Sequence, residues 1–242
     1  VPYASLKMGQ FKIPFSLESL RSSSTIETIE RSMVVNNLRG AGKDRDIGVS
    51  IHGKLFNNKM EYELGIFNGT GLNTSDTNDY KDIVGRIVIS PFKGSKGIMD
   101  GLSIGGSFQT GKEKYASGSS FEPKLNFADS KKFISIPLSP SGIDMWRTMG
   151  GGEISYTYGP GAVIAEYIIA DIQRKGMSDI RADGWYVQLS CLITGERKTL
   201  KDPEKGIEAV FKAEQIDVDD NGGVPDISGQ TCLLYTSDAA DE

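Results

Sequence analysis

The stretch "DGWYVQLSCLITGERK" (183–198) decides how the rest of the chain is read. Every odd position from Trp185 to Ile193 is apolar: Trp185, Val187, Leu189, Cys191 and Ile193. Tyr186, Gln188, Ser190, Leu192 and Thr194 stand between them as a mostly polar row. Alternation with period two marks a strand with one apolar and one polar face. Such a strand buries its apolar face in the core of a soluble sandwich, or turns it to lipid in a membrane barrel.

The same alternation recurs along the chain. Val49, Ile51 and Leu55 alternate with Ser50, His52 and Lys54; after the turn "FNNK", Met60, Tyr62, Leu64 and Ile66 alternate with Glu61 and Glu63. That pair reads as a hairpin. Further strands are read at 85–89, 102–109, 153–158, 163–169 and 207–213, and with residues 4–13 and 184–194 they make about nine. Residues 24–38 could be a short helix or a loop. The connections are uneven: "FNNK" and "YGPGA" are tight, whereas 68–81 and 110–145 are long and polar. Short turns at one end and long loops at the other fit an outer-membrane barrel.

The two rows separate the readings further. Glu61, Glu63, Arg86, Glu153, Glu166, Glu208, Lys212 and Glu214 stand mid-strand on the polar row. The apolar row is thin for a packed core, since Gly53, Gly85, Gly106, Ala165 and Ala209 belong to it. Lipid makes no demand for interlocking packing, so the pattern favours the barrel. Tyr156, Tyr158, Tyr167 and Trp185 are expected near strand ends, as aromatic girdles are. No apolar run approaches the roughly 18 residues of a membrane helix.

The last eleven residues, "CLLYTSDAADE" (232–242), resemble the read-through translation of a sequencing adaptor. The expected division is therefore 1–231 as partial barrel and 232–242 as a non-native tail. Without the three acids of that tail the balance is 27 basic against 29 acidic residues, −2 rather than −5. Cys191 is then the one native cysteine, which rules out an intrachain disulfide. No nucleic-acid partner is indicated.

One block is more specific than a strand pattern. "KMGQFKIPFSLESLRSSSTIETIERS" (7–32) resembles the signature of the phosphate-selective porin O and P family of Gram-negative outer membranes. "RDIGVSIHGKL" (45–55), "YELGIFNGTG" (62–71), "GWYVQLSCLITGE" (184–196) and "GIEAVFKAEQIDVDD" (206–220) continue the resemblance in order. It implies a 16-stranded homotrimeric barrel, constricted by an inward loop and lined by basic residues that bind anions. The fold expected here is all-β: a partial antiparallel transmembrane barrel of about nine strands, the others lying outside residues 1–231. The expected function is passage of small anions, phosphate or polyphosphate, through the outer membrane. A general or differently selective porin and a soluble β-sandwich binding module are the alternatives. A half barrel leaves two open sheet edges, which lipid does not tolerate, so this stretch alone is not expected to insert as a closed pore.

An anion pore places cations on its lumen face. By parity these are Lys54, Arg86 and Lys212, with Lys7 and Lys12 of opposite parity flanking the signature strand. Lys112, Lys114, Lys131, Lys132 and Arg147 are read as loop cations. Gln188, Ser190 and Thr194 are expected to face a water-filled lumen. No catalytic residue, cofactor or metal site is expected. "DVDDNGG" (217–223) lacks the bidentate Glu of a calcium loop, and His52 is the sole histidine, outside any recognisable motif.

Overall fold

The computed structural model describes residues 3–38, 44–73, 79–114, 118–122, 135–139, 144–174, 177–200, 207–219 and 231–238. The chain is a meander. β1 (Ser5–Lys12) leads into the short helices α1 (Leu17–Leu20) and α2 (Met33–Leu38). β2 (Arg45–Leu55), β3 (Met60–Phe67), β4 (Asp82–Ile89) and β5 (Leu102–Lys114) follow. A small hairpin, β6 (Ser119–Phe121) and β7 (Ile136–Ser139), precedes β8 (Asp144–Tyr158), β9 (Gly161–Ile172), β10 (Ile180–Leu192), β11 (Ile207–Asp219) and β12 (Thr231–Asp238). Ten strands form one antiparallel sheet in the order β1-β2-β3-β4-β5-β8-β9-β10-β11-β12, with β6 and β7 paired apart from it. β1 and β12 are its edges, so the sheet is open.

All nine strands read from the alternation are present. The tenth, β12, covers most of the stretch set apart above as a tail and pairs with β11 from Glu214↔Thr231 to Ile207↔Asp238. Several strands are longer than their alternation. β5 continues to Lys114 and β8 begins at Asp144, so Lys112, Lys114 and Arg147 lie in strands, not in loops. The signal ends early because an apolar outer face is needed only within the roughly 25 Å hydrocarbon band. Beyond it the outward positions, such as Thr110 and Lys112, turn polar. Lys131 and Lys132 lie outside the described residues.

The apolar row is the outer face. Leu6, Met8, Val49, Ile51, Leu64, Ile66, Ile87, Ile104, Phe108, Leu189 and Phe211 are all exposed there. Trp185 and Ile193 join them, whereas Gln188 and Ser190 take the opposite face but are buried there and do not face a water-filled lumen as expected. No second sheet covers the outer row among the described residues. A soluble sandwich would bury it, so the architecture is that of a barrel wall. No described helix is long and apolar enough to cross a membrane.

Two expectations need correction. Tyr167 and Trp185 are directly opposed in mid-strand and not at strand ends; only Tyr156 and Tyr158 sit at the end of β8. Thr194 is exposed in the turn after β10, because the strand stops at Leu192.

The tight turns are built by local chemistry. Phe56, Asn57 and Asn58 take left-handed φ values of 53–63°, which Asn tolerates through its short polar side chain. Lys59 then donates its N–H to the Phe56 carbonyl at 3.1 Å, and β2 runs straight into β3.

Candidate functional site

The inner face of the sheet carries the polar row. Over β8–β11 it is covered by the segment that follows β1. Residues 13–38, hereafter the strap, lie across these strands and pack Ile13, Phe15, Val34, Val35 and Leu38 against them. The wall answers with Met149, Ile164, Ile168, Ala182, Tyr186 and Ile216 in the same buried cluster. Residues 24–38, left open by the sequence, resolve into turns and the single short helix α2.

Wall carboxylates hold the strap by its backbone. The first N–H groups of a helix have no partner within it. Glu166 of β9 accepts those of Leu17 (3.0 Å) and Glu18 (2.7 Å) at the start of α1. Glu214 of β11 accepts that of Met33 (2.7 Å) at the start of α2. Tyr186 donates its hydroxyl to Glu166 at 2.5 Å, so this carboxylate is fully employed.

Side chains tie the rest. Lys212 meets Glu18 at 2.6 Å and stands over the Tyr186 ring at 4.7 Å. The other oxygen of Glu18 accepts the Ser32 N–H (2.9 Å) and hydroxyl (2.7 Å). Arg21 grips Glu27 with two guanidinium nitrogens at 2.6 and 2.9 Å, a bidentate pair. Gln188 adds a third donor at 2.8 Å and Lys198 a fourth group at 3.3 Å. Lys198, from the turn after β10, is itself fully buried and also pairs with Glu208. Burial alone would push the Glu27 carboxyl up; its hydrogen bonds and charges from Arg21 and Lys198 outweigh that and hold it below its ordinary 4.5.

The inner face of β2–β4 is different. Pro14, His52, Lys54, Glu61, Glu63 and Arg86 line an open cavity of about 230 Å³. Each cation there has an acidic neighbour. Lys54 meets Glu61 at 2.7 Å, and Lys7 meets Glu63 at 2.9 Å. Arg86 binds Glu153 through Nε at 3.1 Å and through a second, closer nitrogen. Higher on the wall, Arg147 and Gln109 both reach Asp82, at 3.3 and 2.7 Å.

The five cations named from sequence therefore fall into three settings. Lys54, Arg86 and Lys7 belong to the open part of the inner face, Lys7 pairing in register with the inward Ser50. Lys212 lies beneath the strap. Lys12 points its ammonium at the carbonyls of Ser19, Leu20 and Arg21, closing the end of α1. Sequence reasoning did not find Glu18, Glu27 and Lys198 as members of one network. Glu18 and Glu27 belong to the strap and Lys198 to a turn far along the chain, and no spacing rule joins them. His52 lines the open cavity, Cys191 is exposed on the outer face, and no metal-binding cluster occurs among the described residues.

An open sheet with an apolar outside, a polar inside and an inserted strap is the wall of a channel. The family model for phosphate-selective porin O and P matches residues 2–222. The chain belongs to that family. The match covers the strap and all eleven strands from β1 to β11, nine of them in the main sheet, but not β12. A comparison with individual curated proteins finds no match. The porin family is one of channels rather than enzymes.

Proposed function

We propose that this porin chain forms part of the wall of an outer-membrane channel, in a Gram-negative bacterium, that passes small anions by diffusion. Inorganic phosphate is the leading solute and polyphosphate the next. The observation that carries the reading is the open inner face, where Lys54 and Arg86 line the cavity and Lys7 adjoins it. The strap fills the space over β8–β11 and leaves the water path along β2–β4. An anion passing there trades part of its hydration for cations that carboxylates already pair, so fixed charge guides it without trapping it. A homotrimer closed by further strands, with 232–242 as a tail outside the native protein, completes the proposal.

A general porin is the second reading, favoured by the acid partner beside each of these cations. The reversal potential of the intact porin in a planar bilayer, under a chloride gradient with phosphate then titrated in, separates the two. Anion selectivity with chloride current blocked by phosphate supports the first. Conductance without preference supports the second, and a folded protein with no conductance overturns both.

A further inference from the structure

The outer face holds a cation that the channel reading does not use. Lys112, near the end of β5, faces outward opposite Trp146 of β8. Its ammonium stands 4.7 Å from the Tyr80 ring and 5.3 Å from the Trp146 ring. It makes no ion pair with any described carboxylate. Two residues nearer the middle of the wall, Thr110 and Thr148 bring their hydroxyls within 3.0 Å of each other on the same face. Beyond them the surface is apolar, with exposed Phe108, Ile83 and Ile66.

This position differs from its surroundings. The cations around the open cavity are paired with carboxylates, and on the outer face of β9–β10 Arg181 has Asp171 at 3.9 Å. Lys112 has aromatic faces instead. A cation between two rings keeps its full charge while losing part of its water, and so favours an anionic partner. It lies about 13 Å along the strand from Phe108 at the usual rise per residue, about 10 Å of height at the usual strand tilt, at the polar end of the apolar row. An anion there meets hydrocarbon on one side and water on the other. A lipid phosphate is such an anion.

We propose that Lys112, Tyr80 and Trp146 form a binding site for the phosphate of an anionic membrane lipid. Lys112 and the hydroxyls of Thr110 and Thr148 receive the headgroup, and Phe108 and Ile83 the start of its acyl chains. The proposal rests on the reading of the outer face as lipid-facing, and its test separates the two.

The chain has two tryptophans, Trp146 and Trp185. The intact porin carrying Trp185→Phe, with any tryptophan outside these residues also changed to Phe, is placed in bilayers of zwitterionic phospholipid, and brominated lipid of matched acyl chains is added as a quencher. Brominated phosphatidylglycerol should quench Trp146 at about a fivefold lower mole fraction than brominated phosphatidylcholine, the effect of about one interfacial cation. Lys112→Gln should remove the preference and Lys112→Arg retain it, both with unchanged chloride conductance. A Trp146→Phe porin, reporting from Trp185, should show no preference. Equal quenching by the two lipids, or a preference that survives Lys112→Gln, overturns the site. Loss of the preference on adding inorganic phosphate at constant ionic strength also overturns it, because a free anion then holds the position. Quenching by neither lipid overturns the lipid-facing reading as well.

Discussion

The inner faces of β8–β11 and of β2–β4 are made of similar strands, with acids and bases at alternate positions, yet they do opposite things. On β8–β11 the polar groups are buried and spent on holding a strap. Glu166 and Glu214 take backbone N–H groups, Lys212 takes Glu18, and Ile164, Ile168 and Ile216 pack around them. On β2–β4 the ion pairs of Lys7 and Lys54 sit half-exposed beside a cavity, although that of Arg86 with Glu153 is largely buried. The wall over β8–β11 behaves like a protein interior, whereas β2–β4 is buried at Phe67 and Val84 and open only around Lys7 and Lys54. The same residue types therefore carry different energies: a buried ion pair is costly to break, whereas an exposed one contributes little.

That contrast can be broken most severely at the strap's anchor. Phe15→Ala removes a fully buried ring and should cost about 3–5 kcal/mol of strap docking. Amide hydrogen exchange should show residues 13–38 losing protection while β2–β4 keep theirs, and single-channel conductance should rise as the strap leaves the lumen. Equal loss of protection in both halves would make the strap part of one cooperative core.

Next in size is the buried pair. Lys212→Met strands Glu18 without its cation and should cost about 3 kcal/mol. The double change Glu18→Gln, Lys212→Met should recover much of that. A double-mutant cycle by thermal melting measures the recovery.

The open half should respond weakly in stability and strongly in selectivity. Glu63→Gln frees Lys7 from its acid at a cost of less than about 1 kcal/mol. Its reversal potential should move toward greater anion preference, and that of Lys54→Gln, whose partner Glu61 is exposed, the other way. A melting shift as large as that of Lys212→Met would show that the two halves are alike.

The smallest effect is the pH response of Glu27. Its value in the folded protein lies below the ordinary 4.5, so docking of the strap favours the unprotonated form. The contribution is complete above 4.5 and is lost as pH falls through the depressed value. Protease sensitivity of the strap should stay flat from pH 7 to 5 and rise only below 4.5. In Glu27→Gln that acid-dependent rise should be weaker.

Much of the wall was legible in the sequence, because lipid on one side and polar groups on the other impose a period of two on every strand. Trp185, Leu189 and Gln188 take the faces that parity assigns. Strand length was not legible, since Thr110 and Lys112 leave the hydrocarbon band and the apolar row ends with it. Nor was the use of the inner face. Ile164 and Ile168 read as part of a wet row because the segment that covers them lies well over a hundred residues away in the chain. Lys54, Arg86 and Lys212 could be assigned to the polar row by parity, but their partners could not. Pairing of Lys212 with Glu18 depends on how a loop folds back, which no local rule contains.

The strap leaves β1 at Lys12 and finds its anchors on β9, β10 and β11. Leu17 binds a carboxylate 149 positions later, and Glu18 an ammonium 194 positions later. These anchors do not exist as a surface until the last of those strands has joined its neighbours. Closing so long a loop costs more entropy than pairing a hairpin and gives nothing back until the far wall stands. The order of assembly follows: hairpins zip first, the wall extends strand by strand, and the strap docks last. The strap is thus placed at the end of folding, and a chain stalled before β11 would hold residues 13–38 without their anchors at Lys212 and Glu214.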